Sequence, residues 1–374
     1  MLKFIERLNK KELDGKKVLL RVDFNVPVEE GEIVEVFRIK AAKETIDYLL
    51  ENGAKVALVS HIEAIESFNP LVEQIGEILG RTLTLVPLSE LDSLDNLFNA
   101  SPILLLDNIR QDRREVENDK EFARELSAGF DFYVNDAFAV CHRDHTSVSA
   151  ITEQLPSYAG FLIKKETQNL SEAIMAPAEG KVLVLGGAKI STKLPVIKNF
   201  LDKAEKILIG GALANNFFKA KGIEVGKSVV DETVVDVASP KIVLPVDIVV
   251  TDNKTGKAGN VMPLGDIALN QMIIDIGPKS AEEFAKIIQE AEMVIWNGPM
   301  GLCEVEEFAN GTEIVAQAVA LARKSVVGGG DTIAAANKFG LLNKYGFIST
   351  GGGAMLEFLA GSKLPGLEAL GYYK

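Results

Sequence analysis

At 374 residues the chain is long for a single hydrophobic core and favours two domains, and a hydrophobic content of 47% suffices for two buried sheets. A formal net charge of −13 argues against general nucleic-acid binding and against an anionic membrane surface as partner. The opening residues Met1 to Arg7 lack the apolar centre of a secretory signal, and no apolar run approaches the roughly 18 residues of a membrane helix, so a cytoplasmic location is expected. Cys141 and Cys303 fall in different halves and read as reduced thiols filling small gaps.

In chain order, the first half offers a series of short apolar runs. Val18 to Val22 leads to Asp23-Phe24-Asn25, Val56 to Val59 to Ser60-His61, Ile103 to Leu106 to Asp107-Asn108-Ile109-Arg110, and Phe132 to Val134 to Asn135-Asp136. Such runs read as strands of a parallel sheet buried on both faces, where ligands bind beyond the carboxyl ends. Here those ends are basic. All three histidines, His61, His142 and His145, lie in this half, and Arg38, His61, Arg110 and Arg143 sit at or near strand ends. Arg offers bidentate hydrogen bonds to phosphate and carboxylate, so the cluster reads as a pocket for a small, multiply charged anion. From Ile151 to Ala178 there is no strand-like run. The helix-compatible Lys164 to Glu172 would form a hinge helix joining two lobes.

The second half repeats the layout with different tips. Val182 to Leu185 runs into Gly186-Gly187-Ala188-Lys189, Ile207 to Ile209 into Gly210-Gly211, and Met293 to Trp296 into Asn297-Gly298-Pro299. Ser325-Val326-Val327 runs into Gly328-Gly329-Gly330-Asp331-Thr332 and a helix-like Ile333 to Ala336, and a similar turn follows at Ser349 to Ala354. Glycines let backbone N–H groups close around an anion, the following helix points its positive end at the same spot, and Asp331 can hold a cation there. Gly222 to Ser228 resembles a P-loop but has three residues between its glycines where four are needed, so Gly222 reads as a C-terminal helix cap. The dinucleotide fingerprint also fails, because Ile333 and Leu356 stand where its last glycine belongs. The apolar residues of Leu364 to Leu370 suggest an end that packs rather than frays.

Seven motifs carry a family resemblance: Arg21-Val22-Asp23-Phe24-Asn25-Val26-Pro27, Asn135 to Phe138 with His142-Arg143, Gly186 to Lys189, Asp275 to Lys279, Trp296 to Gly301, Gly328 to Thr332, and Ser349 to Ala354. In order and spacing, from about Leu2 to Leu370, they resemble phosphoglycerate kinases. The resemblance implies an α/β fold of two doubly wound parallel-sheet lobes (three-layer αβα) joined by a hinge helix. Residues 1–155 would form the triose domain with the tail 362–374 packing back on it, 156–178 the hinge helix, and 179–361 the nucleotide domain. It implies reversible phosphoryl transfer between 1,3-bisphosphoglycerate and ADP, giving 3-phosphoglycerate and ATP in glycolysis and gluconeogenesis, with Mg²⁺, by a hinge-bending monomer without nucleic-acid or membrane partners. Asp23, Phe24, Asn25, Arg38, His61, Arg110 and Arg143 would hold the triose. Gly187, Lys189, Lys193, Gly210, Gly211, Asn297, Pro299, Glu304, Gly329, Gly330, Asp331 and Thr332 would hold the nucleotide, with Asp331 at the metal and Arg38, Lys189 and Gly330 at the transferred group.

The departure from the family pattern lies after His61. Where the family reads His-Leu-Gly-Arg-Pro, this chain has His61-Ile62-Glu63-Ala64-Ile65-Glu66 and a shortened loop, with Ala64 in place of the triose-binding Arg. Losing one charge-assisted contact costs about 1.5–3 kcal/mol, which Arg113 or Arg114 could partly offset. Ala139, where the family has Gly, lies in the same pocket. A nucleotide-binding paralogue with a regulatory or scaffold role, or a kinase for another small phosphorylated acid, is compatible with this change.

Overall fold

The computed structural model describes residues 2–252 and 259–373. It divides into two units, Met1–Gln168 with Lys363–Lys374, and Asn169–Ser362. In the first, β1 (Lys17–Arg21), β2 (Lys55–Val59), β3 (Thr84–Val86), β4 (Ile103–Leu106), β5 (Phe132–Asn135) and β6 (Ser157–Ala159) form a six-stranded sheet in the order β3-β4-β2-β1-β5-β6. Every pairing in it is parallel.

The reason for continuous apolar runs is visible in the core. Val18 and Leu20 of β1, Val56 and Leu58 of β2, and Ile103 and Leu105 of β4 pack into one buried cluster. Their alternates Leu19, Ala57, Val59, Leu104 and Leu106 pack into another on the opposite face. A strand with both faces covered cannot alternate polar and apolar residues.

The second unit has β7 (Lys181–Leu185), β8 (Lys206–Ile209), β9 (Ile242–Val243), β10 (Asp247–Thr251), β11 (Asn260–Pro263), β12 (Met272–Ile276), β13 (Met293–Asn297), β14 (Ser325–Gly328) and β15 (Phe347–Ser349). Six of them make a parallel sheet, β9-β8-β7-β13-β14-β15, and β11-β10-β12 form a separate antiparallel sheet. In each parallel sheet the strand order reverses beside the first strand, at β1/β5 and at β7/β13. That switch point opens a crevice for ligands beyond the carboxyl ends.

The helices that matter for the sites are α1 (Phe37–Ala41), α2 (Phe161–Met175), α3 (Ile190–Phe200), α4 (Gly211–Ala220), α5 (Gly330–Lys338) and α6 (Pro365–Ala369). The boundary between units falls within α2. Asp136 caps that helix, its Oδ1 accepting from Leu162 N at 2.8 Å. Gly222 ends α4 as a cap, with Gly222 N donating to Lys219 O and Ile223 N to Phe218 O, both at 3.0 Å. Leu364 and Leu367 are fully buried, and Gly366 N donates to Cys141 O at 2.9 Å. Cys141 and Cys303 are both buried and unpaired.

One expectation fails. Residues 151–178 do contain a strand, because Ser157–Ala159 pairs with Tyr133, Val134 and Asn135 at the sheet edge. Three residues are too short for a period-two signal, and only Ala159 is fully buried. Among the described residues no helix is long and apolar enough to cross a membrane.

Candidate active site

The first unit gathers its charged side chains at the carboxyl edge of its sheet. β1 delivers Asp23 and Asn25, and α1 delivers Arg38. Arg38 Nη1 donates to the Asn25 carbonyl at 2.8 Å and lies 3.2 Å from Asp23 Oδ2, which fixes the root of a half-buried guanidinium. Phe24 is fully buried in the core and its N–H donates to Ser60 Oγ at 2.9 Å, so it holds the turn through the fold and not through a ligand contact of its side chain.

His61 lies two residues beyond the end of β2 and is 2% exposed. Its Nδ1 lies 3.2 Å from Arg21 Nη2. A guanidinium can only donate, so Nδ1 accepts and the proton of the neutral ring sits on Nε2. Burial first, then the charges of Arg21, Arg110 and Arg143, push the His61 pKa far below its ordinary value. The neutral form of His61 is thereby favoured, with Nε2–H as its hydrogen-bond donor. Arg21 is itself buried, and its Nε donates to Ser147 Oγ at 2.8 Å, while Ser147 Oγ and N donate to the buried Glu115 at 2.6 and 2.8 Å. This Arg21–Ser147–Glu115 support was missed in the sequence, where its one signal was a cation inside an apolar run.

Arg110 follows β4 on a short 3₁₀ turn. The same guanidinium field reaches His145, whose pKa is pushed down to about 4 by burial first and then by Arg110, Arg143 and Arg21. The structure thus brings His61, Arg110 and Arg143 into one electropositive cluster, beside which Asn25 Oδ1 accepts from Glu63 N at 2.9 Å. Ala64 is exposed. Arg113 and Arg114 are paired with nearby carboxylates: Arg114 with Asp112 and Glu125 at 2.8 Å each, and Arg113 with Glu117 at 2.8 Å.

The second unit builds its site from backbone. Gly298 has φ +96°, and a Cβ there would stand 2.4 Å from Gly186 O, so the two turns at the β7/β13 switch point touch through main chain alone. Gly187 N donates to Pro299 O at 2.7 Å, Gly210 N to Leu185 O at 2.8 Å, and Gly211 N to Met300 O at 2.8 Å. These amides are spent on the fold. Those of Gly330, Asp331 and Thr332 are different, because as the first residues of α5 they have no intrahelical acceptor. Gly329, at φ +101°, turns the chain into this helix, and the Thr332 hydroxyl accepts from Gly298 N at 2.7 Å.

Three features beside these amides point to a ligand. Asn297 Nδ2 is buried and has no hydrogen-bond partner. Lys193 is 7% exposed, and burial lowers its pKa against the opposing pull of Asp331. Lys189 caps the start of α3 and is exposed. A cavity of about 200 Å³ leads from Asp331, Glu304 and Gly187 to an apolar end at Gly211, Ala214, Phe218 and Val229. A larger recess of about 550 Å³ beside Phe217 and Pro240 holds none of the glycine-rich strand tips. Among the described residues no group of three or more His, Cys, Asp or Glu could cage a metal, so a cation at Asp331 fits only as one carried largely by ligand phosphates and water.

A doubly wound sheet whose apolar slot ends on free helix amides and lysines, in a chain with a second sheet edged by arginines, defines a small-molecule kinase. The phosphoglycerate kinase family profile matches residues 8–362. The chain is 42% identical over 383 residues to a phosphoglycerate kinase of Moorella thermoacetica, covering 96% of this chain and 97% of that one. It is also 42% identical over 384 residues to one of Rubrobacter xylanophilus, covering 96% of each. Among solved structures, the phosphoglycerate kinase of Pyrococcus horikoshii OT3 superposes with a TM-score of 0.85 at 33% identity, covering 99% of this chain and 98% of that one. That of Coxiella burnetii superposes with a TM-score of 0.83 at 32% identity over the full length of both. The chain belongs to the phosphoglycerate kinase family and is a phosphotransferase.

Proposed function

We propose that the chain carries out the reversible transfer of a phosphoryl group between 1,3-bisphosphoglycerate and ADP, giving 3-phosphoglycerate and ATP, with the first unit taking the triose, the second the nucleotide, and α2 as the hinge. In this reading Arg38, Arg110, Arg143 and the Nε2–H of His61 hold the triose carboxylate and phosphate, with Asp23 and Asn25 orienting Arg38. The adenine end of the nucleotide lies against Gly210, Gly211, Ala214 and Phe218, and Glu304 and Pro299 flank its ribose. Phosphoryl transfer needs little covalent help and much charge neutralisation. Lys189, Arg38 and the Gly330 amide serve the equatorial oxygens of the transferred group, and Lys193, Asn297 and the amides of Gly329 to Thr332 serve the donor phosphates. Asp331 would hold nucleotide-borne Mg²⁺, which neutralises phosphate charge when bound. We also infer a cytoplasmic monomer.

The observation that carries this reading is the unpartnered, buried Asn297 Nδ2 set against the unspent amides at the start of α5. A coupled assay with MgATP and 3-phosphoglycerate to millimolar concentration tests it. Turnover is expected. The exposed Ala64 favours a second reading, a nucleotide-binding regulator, and MgATP binding without 3-phosphoglycerate binding or turnover would select it.

A further inference from the structure

The loop that leaves β2 inserts a carboxylate among the arginines. Glu63 Oε1 accepts a hydrogen bond from Arg110 Nη1 at 2.5 Å. The loop is held on both sides independently of that side chain: Glu63 N donates to Asn25 Oδ1 at 2.9 Å, and Asn108 Nδ2 donates to the carbonyls of Ile62 and Glu66 at 2.8 and 3.1 Å. The Glu63 side chain is 56% exposed and that of Arg110 20%, a pair too wet to contribute much to stability. What it does occupy is the Nη1 donor of Arg110, one arm of the planar fork that a phosphate or carboxylate ligand needs. The hydrogen bond from Arg110 leads the effects that hold the Glu63 carboxyl below the usual carboxylate range, with the charge of Arg143 adding to them, so it stays ionised at neutral pH.

We propose that Glu63 is an internal competing anion: its carboxylate occupies Arg110 in the free protein and has to be displaced before an anionic substrate engages that guanidinium. This rests on the basic cluster being the acceptor site. It makes Glu63 a determinant of substrate affinity, acting alongside the absence of a cation at position 64. Any anion that uses Arg110 bears both the lost ion pair and repulsion from the displaced carboxylate, so the half-saturating substrate concentration rises.

The test is calorimetric titration of the full chain with 3-phosphoglycerate, comparing the parent with Glu63→Gln, Glu63→Ala and Arg110→Ala. Both Glu63 variants are expected to tighten binding about 5- to 20-fold at low salt, and the gain should shrink at high salt as the charge is screened. The Kd for MgATP should stay within about twofold, since only the first unit is altered. An unchanged or weakened Kd in Glu63→Gln overturns the proposal, and tightening in Glu63→Ala alone does so too, by showing a steric plug in place of a charge. Arg110→Ala separates this failure from a failure of the function reading. If it weakens binding tenfold or more while Glu63→Gln leaves Kd unchanged, only the Glu63 inference falls; if it has no effect, the acceptor-site assignment falls with it.

Discussion

The two units share an architecture and differ in what they place at its edge. Each has a six-stranded parallel sheet whose strand order reverses beside its first strand. Beyond that reversal the first unit presents side chains: Arg38, His61, Arg110 and Arg143, positioned by partners such as Asn25 and Arg21. The second presents main chain, with Gly186 and Gly298 in contact and the amides of α5 unspent. Long side chains suit a small, densely charged acid whose groups must be met from several directions. Backbone turns suit a large ligand that has to lie flat against the sheet edge. The two sites should therefore fail differently, one by loss of charge and the other by addition of a methyl group.

The largest effect tests charge in both units at once. Lys189→Ala and Arg38→Ala should each lower kcat about 10²- to 10³-fold while circular dichroism stays native, because each removes a cation aimed at developing charge. Near-parental turnover in either would remove that residue from the chemistry.

Next comes the backbone. Gly329 has φ +101°, and a Cβ there would stand 3.0 Å from Asn297 Nδ2. Gly329→Ala should cost about 1–3 kcal/mol in strain, read as a lower Tm, with nucleotide affinity falling roughly tenfold or more. 3-Phosphoglycerate affinity should hold, and an equal loss at both ligands would erase the contrast between the units.

A smaller effect compares two buried acids, one per unit. Burial pushes Asp136 and Asp275 each up to about 7, against backbone hydrogen bonds that pull the other way. Their folded forms hold a proton that the unfolded chain releases near pH 4. The stability this provides is present below pH 4, is lost as pH rises through about 7, and changes little above. Asp136→Asn and Asp275→Asn should each flatten denaturation free energy against pH by a few kcal/mol, about 1.4 kcal/mol for each pH unit between the folded and unfolded pKa values, and a variant with the parental slope would show that its carboxyl is ionised throughout.

The smallest concerns the metal. Asp331→Ala should weaken MgATP about three- to tenfold more than metal-free ATP, as calorimetry with and without Mg²⁺ would show. Equal losses would mean that Asp331 only favours the start of α5.

How much of this was legible in the sequence depended on distance along the chain. Runs such as Ile103 to Leu106 announce themselves because both faces are buried, and the glycine turns are contiguous octets whose backbone needs are local. Ser157–Ala159 and the antiparallel β10 to β12 were not seen, the first for its length and β11 because Asn260, Val261 and Pro263 are exposed and lack an apolar pattern. In the sites, Arg38, His61 and Arg110 were legible as basic residues at or near strand ends. The support that fixes the His61 tautomer was not, since Arg21 meets Ser147 across 126 residues of chain. Nor was the fate of Arg113 and Arg114, decided by Glu117 and Glu125 on neighbouring turns.

The last segment, Lys363–Lys374, belongs with the first unit, its Gly366 held against Cys141. A Cβ on Gly366 would stand 3.0 Å from the Cys141 backbone, so the fit leaves no room for a substitute. During synthesis the ribosome makes this segment after every residue of the second unit. The first unit is therefore completed only after the second has been made: until then the seat of Leu364 and Leu367 stays open, an apolar surface exposed during folding. Removing Lys363–Lys374 would therefore damage the first unit and spare the second.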